Sequence, residues 1–220
     1  MSRAFRLLLL LAVAAVASTA GAQRPFNPDA ALEDSIEILV LPREVAAIDS
    51  VGGSRISENL QLGENVLYFD SRGRIGLAFT DRRILAVATE SGFWQSTPLR
   101  RTETPPSGAV LGGRVAVLST AKRVLGFVGT SSALVESTLG PHEFVRDSVA
   151  GQNVAVVVTD RRALGISAQS GGFFEAPLRV GEEIQSVVAL ANHVTLQTSQ
   201  RLLVFRGPGG SWDEEFPQQH

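Results

Sequence analysis

Past residue 34 the apolar residues come in short bursts broken by turn-forming pairs, without the long 3.6-residue periodicity of an amphipathic helix. The stretch Phe79–Val87, FTDRRILAV, returns as Ser119–Phe127 (STAKRVLGF), Val158–Ile166 (VTDRRALGI) and Gln197–Phe205 (QTSQRLLVF). Aligning on it places Thr80, Thr120, Thr159 and Thr198 in one column, spaced 40, 39 and 39. Arg83, Arg123, Arg162 and Arg201 form a second column, and Leu85, Leu125, Leu164 and Leu203 a third. Glu64, Glu103, Glu143 and Glu182 form a fourth. An internal repeat of this length is the first thing to settle, because it dictates the architecture. A fifth, diverged copy lies upstream, with Leu41 in the threonine column and Glu44 in the arginine column.

Each copy reads as β throughout. VAVLST, RVLGFVG, ALVESTL and FVRDSVA are short and rich in β-branched residues, and Gly, Pro or Ser-rich turns separate them. The expectation is a four-stranded antiparallel meander per copy. Its first strand, such as Val154–Val158, is apolar on both faces and reads as fully covered. Its third strand, such as FFEAPL, mixes polar and apolar positions and reads as peripheral. A lone meander cannot bury both faces, so the copies must pack on one another.

On this period and strand count the chain resembles a five-bladed β-propeller with short blades, over about Asp34 to Phe216. It lacks the Trp-Asp and Gly-His landmarks of WD40 repeats. The alternatives are an open β-repeat array or two tandem PH-like β domains. The last copy stops after its third strand, at WDEEF, so the expectation is that closure of the last blade borrows a strand. Residues 24–33 are the spare segment, although their two prolines make a poor strand.

Composition adds an address. Residues 1–22 carry Arg3 and Arg6, then the 11-residue apolar run Leu7–Ala17, then small residues with Ala20 and Ala22 in an A-x-A arrangement. That order is a secretory signal peptide, cleaved before Gln23, and the run is too short to span a bilayer, which takes about 20 residues. The domain reading is therefore signal peptide 1–22, linker 23–34, repeat domain 35–216 and tail 217–220. The expected location is periplasmic or secreted. The sequence has no cysteine, hence no disulfide, thiolate metal site or lipid-modified N-terminus. Formal charge is −2, and −4 without Arg3 and Arg6, which argues against a nucleic-acid partner.

Candidate chemistry is sparse. The arginine column follows the first strand and the glutamate column precedes the fourth, so Glu64–Arg83, Glu103–Arg123, Glu143–Arg162 and Glu182–Arg201 are expected to pair. These eight residues are either salt bridges that fix the register between copies or a charged rim that binds an anionic ligand. Trp94, Phe173 and Trp212 share a column, with Phe93 and Phe174 beside them. Such rings either pack between blades or stack on sugars, as in lectin-type propellers. Five-bladed glycosidases use carboxylates near the central channel, but general acid and base need unequal surroundings, and the carboxylates here recur by symmetry. STAK at Ser119–Lys122 lacks the companion motifs of a penicillin-recognising serine enzyme. His142 and His193 stand apart in repeat register, and no metal or cofactor set assembles by spacing. The sequence thus points to a non-enzymatic binding or scaffold protein with a protein or glycan partner. A carbohydrate-binding propeller or a carbohydrate-active hydrolase is the alternative.

Overall fold

A computed structural model of the chain describes residues 35–216. The expected signal peptide, linker and tail lie outside them. The described residues hold nineteen strands and no helix. Four sheets have four strands each: β4 (Val66–Arg72), β5 (Ile75–Thr80), β6 (Arg83–Ala88) and β7 (Gln95–Pro98) make one. The next contains β8 (Ala109–Leu111), β9 (Val115–Ser119), β10 (Arg123–Val128) and β11 (Ala133–Thr138). Another contains β12 (Val145–Ala150), β13 (Val154–Thr159), β14 (Arg162–Ser167) and β15 (Phe174–Pro177). The last comprises β16 (Ile184–Ala189), β17 (His193–Thr198), β18 (Leu202–Arg206) and β19 (Ser211–Glu215). Ahead of them all, β1 (Ile36–Leu41), β2 (Glu44–Asp49) and β3 (Arg55–Asn59) form a sheet of three described strands. All pairings are between antiparallel neighbours in sequence, so this is a five-bladed β-propeller fold built from simple meanders.

The blades are cut one strand earlier than the copies. The strand expected to end one copy, such as Val145–Ala150, instead pairs with the first strand of the next, Val154–Thr159. Turn length explains the change. Only residues 73–74, 112–114, 151–153 and 190–192 separate those strands, which forces a hairpin. The link from the preceding outer strand is longer, residues 99–108 before β8 for example, and carries the chain to the next blade. The last blade is therefore complete. The blade lacking an inner strand among the described residues is the first, which corrects the expectation for the C-terminal copy.

Strand burial follows blade position. β5 and β13 are buried at every residue, whereas the outer strands β7, β15 and β19 are largely open. Four apolar clusters join successive blades. Between them runs a knob-and-hole column in which bulk and space are matched. Val87 shares one buried cluster with Ala47, and Phe127 another with Ala86. Ile166 presses on Gly126, and a Cβ added there would lie 2.5 Å from Ile166 Cδ1. Phe205 presses on Gly165, where the same addition would lie 2.5 Å from its ring. Packing this close is what sets blade spacing.

The same register at the two ends gives Ile48 as knob and Val204 as its hole, with no small residue to receive it. Among the described residues no apolar cluster joins the fifth blade to the first. The outward face of β17 carries His193, Thr195 and Gln197 where β13 has Val154, Val156 and Val158. On that face His193 and Thr195 are half-buried and Gln197 is exposed.

Candidate functional site

The constellation that the sequence singled out is present four times. Thr80, Thr159 and Thr198 end their blade's second strand and Thr120 directly follows β9, and each hydroxyl accepts the backbone N–H groups two and three residues on, at 3.1 and 2.9 Å for Arg82 and Arg83. That closes the tight turn and places Arg83, Arg123 and Arg162 at the start of the third strand and Arg201 directly before it. The column glutamate sits in the link arriving from the preceding blade. One of its oxygens accepts the N–H three residues back, from Gln61, Arg100, Gly140 and Arg179 in turn. The other oxygen takes the threonine hydroxyl, at 2.5 Å for Thr120–Glu103, 2.9 Å for Thr159–Glu143 and 2.7 Å for Thr198–Glu182.

The arginine then locks onto the carboxylate. Arg83–Glu64, Arg123–Glu103, Arg162–Glu143 and Arg201–Glu182 all pair as expected, with closest contacts of 2.8, 2.9, 2.8 and 2.8 Å. The pairing is bidentate: Nε of Arg123 meets one Glu103 oxygen at 3.0 Å and Nη2 the other at 2.9 Å. Nη2 also donates to the last carbonyl of the preceding blade's outer strand or its neighbour, Asn59, Pro98, Thr138 or Pro177, at 2.6 to 2.8 Å. Nη1 reaches a further carboxylate, Glu58, Glu136, Glu175 or Glu214, at 2.5 to 2.6 Å. Each constellation is a latch between one blade and the next.

Electrostatics follow the geometry. Burial alone would raise the glutamates, but the arginine, a backbone amide and the threonine hydroxyl outweigh it. Glu64, Glu103 and Glu143 are therefore held below the usual carboxylate range, and Glu182 falls to about 2. The bond to Glu64 raises Arg83, and the bond to Glu182 raises Arg201. A carboxylate held ionised and four times bonded has no spare lone pair for proton transfer.

The threonines were landmarks in the sequence without a role, and the structure makes them the hub of the latch. The outer-strand glutamates Glu136, Glu175 and Glu214 also escaped notice, although they recur every 39 residues and stand 13 beyond their arginine. Among the described residues the first blade shows no such latch: Glu44, in the arginine column, pairs with Arg55 of β3.

The tryptophans are wedged between blades. Trp94 is buried and donates from Nε1 to the Ile56 carbonyl of the preceding blade at 3.0 Å. Trp212 does the same to Phe174 at 2.9 Å, and its ring lies 5.2 Å from that of Phe205. Phe93 is exposed beside Trp94. No cluster of three or more metal-ligating side chains occurs among the described residues. An open cleft of about 560 Å³ between β12 and β16 is lined by Arg146, Asp147, Asp160 and Glu183, and by the latched Glu182. Asp160 there accepts the Phe144 backbone amide and so holds a turn.

No protein-family model matches this sequence, and no curated protein matches it. Among solved structures it is similar to human WBSCR16, at 12% identity and TM-score 0.41, over 78% of this chain and 59% of that one. It is similar to the N-terminal domain of Nup159, at 11% identity and TM-score 0.35, over 83% and 58%. Prp20p from Saccharomyces cerevisiae, in a structure titled with its binding to Gsp1p and histones, gives 10% identity and TM-score 0.38, over 77% and 56%. The chain spans less than two thirds of the length of each. The sequentially paired antiparallel sheets make the chain a β-propeller-like repeat protein.

Proposed function

We propose that this is an exported, non-enzymatic protein that binds or scaffolds another macromolecule, a protein or a glycan, on its propeller. One observation carries the reading: the recurrent charged groups are consumed by the fold. Each column carboxylate is bonded to an arginine and a backbone amide, and held ionised. An acid–base pair needs two groups pushed apart by unequal environments, and the latches are alike. Export rests on the basic, apolar and small-residue order of residues 1–22.

The test is to express the full chain in a bacterial host with an envelope, sequence its N-terminus, and cross-link it in place. The expected result is a chain starting at Gln23 and a discrete cross-linked partner. Cytoplasmic retention of the intact leader sinks the export reading. Turnover of glycoside substrates that disappears on Glu182→Gln, in a variant that still melts cooperatively, sinks the non-enzymatic reading. Retention on a glycan array that is lost on Trp212→Ala, with little change in melting temperature, identifies the partner as a sugar.

A further inference from the structure

At three of the four joints between successive described blades, a ring from the later blade wedges against the earlier one. Trp94 shares a buried cluster with Ala47 and Ile56 of the first blade. Phe173 lies against Gly126 of the third, where an added Cβ would stand 2.9 Å from its ring. Trp212 packs on the cluster between the fourth and fifth blades. Both indoles also donate from Nε1 to a carbonyl of the earlier blade's outer strand, Ile56 at 3.0 Å and Phe174 at 2.9 Å.

The remaining joint, between the second and third blades, holds leucine at that position. Leu134 pairs with Phe127 as Trp212 pairs with Phe205, which places it in the wedge column. Beside it the surface opens into a groove of about 430 Å³, lined by Gln95 and Thr97 of β7, the buried Leu125, Ser132, Leu134 and Glu136. Gln95 pairs with Ala86 as Ile56 pairs with Ala47 and Phe174 with Gly165. Its carbonyl therefore stands where the two indole acceptors stand, and Ala86 repeats the small residue that admits Trp94. Glu136 is already bonded to Arg100 and Arg123, so shape and a backbone acceptor, rather than charge, set what fits.

We propose that this groove receives a tryptophan side chain from a protein partner, its ring filling the wedge position and its N–H bonding the Gln95 carbonyl. The inference rests on the binding role proposed above and names what is bound. At the other joints the ring enters from an outer strand or the residue just before it, Trp212 within β19 and Trp94 and Phe173 ahead of β7 and β15. A ring carried on another chain reaches this joint from the same side. Tryptophan suits the task, since it combines a large apolar face with one donor and is enriched among the residues that anchor protein interfaces. A glycan bound by stacking needs the ring on this chain, where the column holds leucine.

The test titrates N-acetyltryptophanamide into the folded, isotope-labelled chain and reads backbone amide resonances. Saturable shifts confined to residues 95–97 and 132–135 are expected, with N-acetylleucinamide weaker by about tenfold or more. Leu134→Trp supplies the ring from within the chain. It is expected to abolish those shifts, to keep or raise the melting temperature, and to remove the partner captured by cross-linking. Gln95→Arg, on the opposite wall, is expected to weaken binding by about tenfold or more with melting unchanged. Shifts scattered over the surface, equal binding of the leucine analogue, or melting lowered by more than about 5 °C in Leu134→Trp overturn the site. So does a partner that cross-links to folded Leu134→Trp as well as to the unaltered chain, a result that leaves the binding role standing. Indole binding confined to the groove, in a chain that cross-links to nothing, supports the site and sinks the wider role.

Discussion

Arg201 and Glu182 meet as a planar fork, Nε to Oε1 at 2.8 Å and Nη2 to Oε2 at 3.0 Å, with side chains 3 and 0% exposed. Each also holds backbone: Arg201 takes the Pro177 carbonyl at the end of the fourth blade, and Glu182 the Arg179 amide in the link that follows. The pair is thus a joint between two blades, made of charges that could not be buried singly.

Removing one partner should therefore cost more than the bond. Arg201→Ala strands an ionised glutamate, and the expected loss is about 3–5 kcal/mol, read as a drop in the urea midpoint. Arg201→Lys should recover little, because an ammonium cannot make the fork. Glu44→Ala in the first blade, at the same repeat position but with exposed Arg55 as its partner, should cost at most about 1 kcal/mol.

Acid should loosen the joints together. Glu182 titrates near 2 when folded and in the ordinary glutamate range when unfolded, so between those values the unfolded chain binds more protons. Its stabilisation is complete above about pH 4.5 and is lost as pH falls toward 2. Glu64, Glu103 and Glu143 shift in the same direction and add to the slope. Urea midpoints should be flat from about pH 7 to 5 and fall steeply below. Glu182→Gln should start lower and fall less; an unchanged slope would show that this carboxylate is not held down.

The knob-and-hole column predicts which small residues cannot grow. Gly165→Ala puts a methyl into the ring of Phe205, and the expected cost is about 1–3 kcal/mol by thermal melting. Pairing it with Phe205→Leu should restore part of that loss, whereas the two changes would add if they acted independently. Gly171→Ala is the control. A Cβ there meets nothing within 4 Å, and no change is expected.

Much of this was legible in the residues. The period, the five copies, the all-β character and the four Glu–Arg pairs followed from columns of identical residues at one spacing. Identity repeated at fixed distance reports a shared local environment. The sheet boundaries were less legible, because apolar pattern marks strands but not which of two neighbours a strand pairs with. Gly112-Gly113-Arg114 between β8 and β9 is a hairpin by length, and that length, not the repeat frame, decides the pairing. The role of Thr80 and its equivalents was hidden because a hydroxyl's partners come from two other segments.

The sequence by itself determined the repeating unit, the strands within it and the chemistry that recurs, since these depend on spacing along the chain and on turn residues. Only the tertiary structure decided where one blade ends, that the latch spans two blades, and that the first blade, not the last, is short of a strand among the described residues. Those are properties of pairing between distant segments. Hydrogen bonds and packed side chains close there, and a linear pattern does not record the closure.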